Sequence, residues 1–203
     1  MTFAVGEEFD RLLDISLPLM SRYAEKHGYL TILPYVGDSD LPASWRKVGA
    51  LIEKLQEFEA VLWMDADIVI SDGSRDIAAL VPDDKWLALV EHHTQDGDVP
   101  NWGMVYLKRE ALPLLEAMWA QRYEHAHAAW WEQTVALLLM GYDSLKRPCK
   151  LVEPTEWYRR THFLSNEWNS HPWDSAQRPR FNHATMHPDR LVKMQEWAKA
   201  ASW

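Results

Sequence analysis

The sequence has very little cysteine and no long apolar run. Its single cysteine, Cys149, excludes an internal disulfide and suits a reducing compartment. No run approaches the roughly 18 apolar residues that a membrane span needs, and the residues after Met1 lack the basic and apolar stretches of a signal peptide. Because the 203 residues also contain no repeat and no Gly/Ser-rich linker, we expect one domain, residues 1–203, in the cytoplasm.

Basic residues are the minority among the charged ones. The chain has 21 Lys and Arg against 30 Asp and Glu, which gives a formal net charge of −9. This balance argues against broad electrostatic binding to nucleic acid, although it does not exclude a local basic groove. It does not disfavour a phosphate-bearing small molecule, since a bound divalent cation can supply the local positive charge.

Tryptophan is unusually frequent, with 12 residues. We expect core packing to account for more than half of them. The others are candidates for flat platforms under a sugar or a nucleobase, because indole offers a large apolar face with one polar group.

The apolar pattern alternates strands with helices. Predicted strands are 3–5, 29–35, 60–64 (which 65–70 extends or follows), 86–90, 103–107, 149–152 and 180–185. Predicted helices are 9–24, 44–58, 109–127, 130–140 and one that Pro188 opens, with a short helix near Ser74, a polar loop at 92–101 and an irregular stretch at 154–179. The β-α-β-α-β order of the first half predicts an α/β fold with a mixed, mostly parallel sheet between helices. Ligands of such sheets bind beyond the carboxyl ends of the strands.

An acidic pair, Asp65 and Asp67, stands at such an end, directly after the apolar strand 60–64. In an extended backbone the two side chains project to the same side. Two carboxylates held together repel unless a cation or donors neutralise them. Mg²⁺ or Mn²⁺ fits, because both take hard oxygen ligands and leave positions for a diphosphate. The alternative is a solvated strand end, where Asp is common.

His183 is a candidate third ligand, since imidazole binds Mn²⁺; alone it is as readily a hydrogen-bonded residue of the core or surface. A zinc pair of His183 and His187 is an alternative, but Ala184 replaces the Glu of H-E-x-x-H and Pro188 opposes a helix through both. Two classes of protein remain as alternatives. A nucleotidyl- or phosphoryl-transfer enzyme also uses paired carboxylates, but it would need a further acidic ligand and a glycine-rich or basic phosphate loop. A non-catalytic carbohydrate-binding domain would account for the tryptophans.

Seven short segments, in order, resemble the retaining GT-A glycosyltransferases of family 34. They are 23–29 (YAEKHGY), 45–47 (WRK), 61–70 (VLWMDADIVI), 101–103 (NWG), 131–133 (WEQ), 168–169 (WN) and 183–185 (HAT). The resemblance implies a GT-A fold, which is a Rossmann-like fold of nucleotide-diphospho-sugar transferases. The chain departs from the group at Met186 and His187, where a glycine usually follows the metal histidine, and it lacks the group's membrane anchor and stem.

The resemblance also implies roles for individual residues. Asp65, Asp67 and His183 would hold Mn²⁺ or Mg²⁺, and Asp65 would also meet the ribose of the donor, a UDP-sugar. Lys47 would lie near the nucleotide, and Asn101 and Gly103 would shape the sugar site. Glu132 and Gln133 would face the reacting carbon of the donor sugar. Trp168 and Asn169 would line the acceptor side. From position alone, Glu132 could equally be a first-turn residue favoured by the helix dipole. The acceptor stays open between a glycan, a lipid-linked sugar, a protein and a modified base.

Overall fold

The computed structural model describes residues 1–35, 37 and 39–203. Its helices are α1 (Glu7–His27), α2 (Ala43–Glu57), α3 (Leu112–Ala120), α4 (Trp131–Met140), α5 (Glu156–Arg159) and α6 (Arg190–Ala200). Its strands are β1 (Ala60–Met64), β2 (Ile68–Ile70), β3 (Leu87–Thr94), β4 (Gly97–Lys108), β5 (Thr161–Leu164) and β6 (Phe181–His183).

Helices α1 and α2 form where apolar residues recur at helical spacing. In α1 the buried residues Leu12, Ser16, Met20 and Tyr23 make one stripe, and Gly28 ends the helix with φ 76°. The helix continues through Pro18, where the sequence predicted a kink or a split. In α2 the predicted apolar face is confirmed, since its tryptophan, valine and leucines are buried: Trp45, Val48, Leu51 and Leu55.

The main sheet is mixed and has the order β1-β4-β3-β5. β4 is antiparallel to both β1 and β3, and β5 is parallel to β3. The mixed α/β character is as expected, but the parallel share is smaller than predicted. The parallel share falls because the described residues of 3–5 and 29–35, expected to form strands parallel to 60–64, do not form strands. The predicted polar loop at 92–101 is also wrong: those residues extend β3 and β4 into a hairpin, whose turn contains Gly97 with φ 103°.

The predicted strands at 3–5 and 29–35 are not strands in the part of the chain that the structure describes. The N-terminal segment that begins at Met1 still lies along the edge of β1. The Met1 amine donates to the Leu62 carbonyl at 2.7 Å, and the Met64 N–H donates to the Met1 carbonyl at 3.1 Å. These alternating bonds are the pattern of a parallel pair. The predicted strand 149–152 is likewise reduced to isolated bridges.

Several predicted boundaries change. The helix predicted at 109–127 is a 3-10 turn (Arg109–Ala111) followed by α3, which ends at Ala120. The helix near Ser74 is a 3-10 turn at Ala78–Leu80, and α6 begins two residues after Pro188. The stretch predicted as irregular contains α5 and β5.

A two-stranded ribbon lies beside the main sheet and carries much of the site. β2 and β6 are antiparallel, and Ile68 lies opposite His183 while Ile70 lies opposite Phe181. The ribbon packs against α1 and α6. This pairing brings the residue before β2 next to the last residue of β6, although more than a hundred positions separate them in the sequence.

Tryptophans divide between the core and the surface. The fully buried ones are Trp45, Trp63, Trp102 and Trp168, whereas Trp131 is 49% exposed and Trp173 is 52% exposed. No described helix combines the length and apolar character that crossing a membrane requires.

Candidate cation site

The acidic pair forms a tight turn between β1 and β2. The Ile68 N–H donates to the Asp65 carbonyl at 3.1 Å, which closes the turn. The prediction that Asp65 and Asp67 converge by strand alternation is therefore wrong in its geometry. The carboxylates still meet, but because the chain turns.

Three neighbouring segments hold this turn in place. The Asp65 N–H donates to the Gly103 carbonyl at 2.7 Å, and the Ala184 N–H donates to the Asp67 carbonyl at 2.9 Å. The Ser16 hydroxyl donates to the Ala66 carbonyl at 2.8 Å. The turn is thus anchored to β4, to the end of β6 and to α1, so its side chains have little freedom to move apart.

Asp65, Asp67 and His183 form one cluster. Each offers a ligand atom, and these atoms all lie within 4.8 Å of one another. His183 Nε2 lies 3.2 Å from Asp67 Oδ1. Two carboxylate oxygens and an imidazole nitrogen suit Mn²⁺ or another divalent cation. Among the described residues, the zinc pair that includes His187 does not appear as such a cluster.

A chain of hydrogen bonds fixes which nitrogen of His183 faces the carboxylates. The Gly103 N–H donates to Asn101 Oδ1 at 2.9 Å, so this oxygen is an acceptor. Asn169 Nδ2 donates to the same oxygen at 2.8 Å, which turns Asn169 Oδ1 towards His183 Nδ1 at 2.9 Å. Because an amide oxygen only accepts, Nδ1 carries a proton and donates. In the neutral ring, Nε2 is then the lone-pair nitrogen.

This orientation fits a bound cation. A neutral His183 directs the Nε2 lone pair at an Asp67 oxygen 3.2 Å away, and two acceptors that close need a proton or a metal ion between them. Metal-bound histidines usually donate their other ring N–H to an oxygen in this way. The donor set and its supports therefore fit Mn²⁺ or Mg²⁺.

Asp67 is the buried member of the pair, and its charge is balanced. When no metal ion is bound, a proton on His183 Nε2 fills the position between the two groups. In that state burial acts to raise the pKa of Asp67, but the positively charged His183 ring and the Arg190 guanidinium outweigh it and hold the pKa below its ordinary value. Arg190 Nε lies 3.8 Å from Asp67 Oδ2. Sequence reasoning gave Arg190 no role. Its position in the first turn of the C-terminal helix, shortly after His183, was the available signal.

Lys47 links Asp65 to Glu132. Its ammonium lies 2.5 Å from Glu132 Oε1 and 3.6 Å from Asp65 Oδ1, and it donates to the Trp102 carbonyl at 3.1 Å. Burial would lower the pKa of Lys47, but the two carboxylates outweigh it and raise the pKa. Trp63 Nε1 also donates to Asp65 Oδ1 at 2.7 Å. The Lys47 side chain is 4% exposed and fully engaged, so it positions Asp65 in this structure.

Glu132 and Gln133 both lie beside the acidic turn, in the first turn of α4. The Glu132 side chain is 5% exposed, and burial raises its pKa despite the Lys47 ammonium. Gln133 Oε1 accepts the Trp102 N–H at 3.0 Å, so it supports the segment 101–103. Gly103 has a steric reason to be glycine, because a Cβ there would lie 2.3 Å from His183 Cε1.

The two residues expected on the acceptor side, Trp168 and Asn169, have different surroundings. Trp168 is 1% exposed and packs edge-on against Phe181, with 5.2 Å between ring centroids, so it belongs to the core. In this structure its ring offers no exposed face, so the role expected for Trp168 on the acceptor side stays a prediction. Asn169 instead orients His183.

Two further histidines stand behind His183. His171 Nε2 lies 3.1 Å from His183 Nδ1, and the His171 ring stacks on His92 with 3.8 Å between centroids. Burial lowers the pKa of both His171 and His92, which keeps these rings neutral. Sequence reasoning missed both, since one lies in the stretch predicted as irregular and the other in the hairpin predicted as a loop.

Comparison with solved structures defines the fold. The chain is similar to a glycosyltransferase involved in the glycosylation of the major capsid of PBCV-1, at 14% identity and TM-score 0.69, with 98% of this chain and 97% of that chain covered. It is similar to galactosyltransferase LgtC in complex with donor and acceptor sugar analogs, at 11% identity and TM-score 0.55, covering 100% and 96%. It is also similar to the glycosyltransferase GlyE of Streptococcus pneumoniae TIGR4, at 13% identity and TM-score 0.62, covering 97% and 59%.

No protein-family model matches the chain, and no curated protein matches it in sequence. At these low identities the structural likeness establishes the fold. The chain has the GT-A fold of glycosyltransferases, and the predicted fold class is confirmed.

Proposed function

We propose that this chain is a metal-dependent glycosyltransferase. It transfers a hexose or pentose from a UDP-sugar to an acceptor, with retention at the anomeric carbon, as a single catalytic domain in the cytoplasm. The observation that carries the proposal is the Asp65–Asp67–His183 cluster, built on a three-sided anchor at the end of β1 within a GT-A fold.

Asp65, Asp67 and His183 would hold Mn²⁺ or Mg²⁺ in this enzyme. When bound, the cation supplies the positive charge that offsets the charge growing on the leaving diphosphate. Arg190, 3.8 Å from Asp67, adds a second positive group at the same place. Asn169 and Asn101 hold the ligand nitrogen of His183 in position.

Same-face substitution accounts for the reaction with few protein groups. The bond from C1 to the diphosphate oxygen breaks, the bond from C1 to the acceptor oxygen forms on the same face, and the acceptor's proton passes to the leaving diphosphate. This route needs no carboxylate nucleophile. The burial of Glu132 in an ion pair with Lys47 supports it, because a carboxylate so engaged is a poor nucleophile.

Glu132 therefore acts as a positioning residue in our proposal. Its charge keeps Lys47 in place, and Lys47 in turn holds Asp65. Gln133 and Gly103 shape the donor-sugar side through the segment 101–103. The acceptor is a glycan, a lipid-linked sugar, a protein or a modified base, and the acidic net charge disfavours a nucleic acid.

Nucleotide binding that requires a cation is the direct test. We expect UDP to raise the melting temperature only when Mn²⁺ or Mg²⁺ is present, and at least one UDP-sugar to be hydrolysed slowly even without an acceptor. EDTA should abolish this hydrolysis, and excess Mn²⁺ should restore it. Stabilisation by UDP without a cation, or turnover undiminished by EDTA, would contradict the proposal. GDP and a panel of nucleotide sugars in the same assay identify the donor.

A further inference from the structure

Trp173 is an exposed aromatic residue close to the cation site. It is 52% exposed, which is unusual for the largest apolar side chain in a protein that buries four other tryptophans completely. It lies in a tight turn, closed by a hydrogen bond from the Asp174 N–H to the His171 carbonyl at 3.3 Å. Pro172 precedes Trp173 in this turn and restricts the backbone.

The turn that carries Trp173 is anchored at both of its ends. Asp174 accepts a hydrogen bond from His92 Nδ1 at 2.7 Å and another from Asn166 Nδ2 at 3.0 Å. His171, at the other end of the turn, stacks on His92 with 3.8 Å between centroids and 20° between planes. Because His92 belongs to β3, both ends of the turn are fixed to the main sheet.

The same turn is connected directly to the ligand His183. The Trp173 ring packs edge-on against His171, with centroids 5.8 Å apart, and His171 packs edge-on against His183, with centroids 4.9 Å apart. Trp131, the other half-exposed tryptophan, has no such chain of ring contacts to the cluster among the described residues. Trp173 is therefore the exposed indole whose position the cation site and the sheet both fix.

We propose that Trp173 is the stacking platform for a pyranose ring of the acceptor. The apolar C–H face of a pyranose packs on an indole ring, and a ring held in advance binds without losing rotamer freedom. This inference rests on the proposed function, and Trp173 offers the exposed ring face that the buried Trp168 does not.

The position of Trp173 favours the acceptor over the donor sugar. His183 directs Nε2 towards Asp67 and Nδ1 towards Asn169 and His171, so the platform lies on the side of the ring away from the carboxylates. A diphosphate bound by the carboxylates and its cation lies on the other side. The acceptor is the component of a transfer reaction that lies farther from the metal.

Indole resonances offer a test of binding that does not depend on turnover. In ¹⁵N-labelled protein with UDP and Mg²⁺, the Trp173 indole N–H signal is assigned by its loss in Trp173→Phe. Methyl glycosides of galactose, glucose, mannose and xylose, together with lactose, are then titrated. We expect at least one to shift this signal saturably. Trp173→Ala should weaken binding of that saccharide by about tenfold or more. Tyr123→Ala removes another exposed aromatic ring elsewhere and should leave the affinity within about twofold.

Separate measurements distinguish the possible failures. If no saccharide moves the Trp173 signal, or if Trp173→Ala binds the saccharide normally, the platform is wrong. If Trp173→Ala weakens the binding of UDP-sugar relative to that of UDP but leaves the binding of the methyl glycosides unchanged, the assignment to the acceptor is wrong. The proposed function fails separately, when wild-type protein binds neither UDP nor GDP with a cation. A saccharide that still shifts Trp173 in that case upholds a sugar platform and overturns its acceptor role.

Discussion

The two ends of the ribbon β2–β6 carry the same chemistry in different surroundings. At one end Asp67 pairs with His183, and at the other Asp72 pairs with Arg180 at 2.7 Å. The first pair has side chains 7% and 3% exposed, whereas the Asp72 carboxylate is 42% exposed. Water screens the outer pair, so it contributes little beyond holding the strands in register. The inner pair is desolvated and faces a second carboxylate, so a bound cation would interact strongly with it.

Removing the inner carboxylate should have the largest effect. We expect Asp67→Ala to weaken Mn²⁺ binding by at least about 100-fold, since the cluster loses its buried anionic ligand, and to abolish cation-dependent hydrolysis of UDP-sugar. Calorimetric titration of Mn²⁺ measures the first effect. The matched variant Asp72→Ala removes the outer carboxylate of the same ribbon and should keep Mn²⁺ affinity within about twofold. Equal losses in both variants would mean that the ribbon's stability, and not the ligand, is being measured.

Removing the support of His183 should have an intermediate effect. Asn169→Ala deletes the oxygen that accepts from His183 Nδ1, and such changes typically reduce metal affinity by about 10- to 100-fold. Asn182→Ala is the control, because Asn182 is also a buried amide and binds the Ser71 hydroxyl at 2.7 Å. We expect it to lower stability without lowering Mn²⁺ affinity. Unchanged titration of the Asn169 variant would remove the orienting role from this residue.

The outer pair should give the smallest effect, visible as pH dependence. Burial acts to raise the pKa of Asp72, but hydrogen bonds from Ser74 and the Arg180 charge outweigh it and hold the pKa below its ordinary value. A carboxyl with a lowered folded-state pKa stabilises the protein above its unfolded pKa of about 3.9 and loses this contribution as the pH falls through the folded value.

Asp72→Asn should therefore cost about 0.5 kcal/mol near pH 6, since the group is screened, and progressively less as the pH falls below about 3.9. Urea unfolding of both proteins across this range measures the difference in the free energy of unfolding. A difference that stays constant with pH would show that Asp72 acts through packing or hydrogen bonds alone.

The sequence was informative where local patterns decide structure. The apolar run before Asp65, the buried face of α2 and the glycine that ends α1 depend on periodicity and chain stereochemistry, and all three are present in the structure. The resemblance carried the fold class. It did not predict the surroundings of each site residue: Trp168 is buried, and Lys47 is held by Glu132 and the Trp102 carbonyl, while their expected roles near ligands stay predictions.

Pairing between distant segments could not be read from the sequence. The hairpin of β3 and β4 was predicted as a polar loop because His92, His93 and Asp98 look like solvent-exposed residues. In the structure His92 is 1% exposed, since it pairs with Asp174, 82 positions away. Long-range partners of this kind make a polar residue compatible with the interior, and they leave no local signal.

The sequence by itself determined that two carboxylates follow a buried strand and that they need a neutralising partner, because like charges held together repel. Only the tertiary structure decided how they meet. The chain turns at Asp65–Asp67, and the ribbon places His183 opposite Ile68. Two asparagines then select the nitrogen that faces the carboxylates. A three-ligand site needs positions fixed to fractions of an ångström, and only packing between segments distant in sequence supplies that.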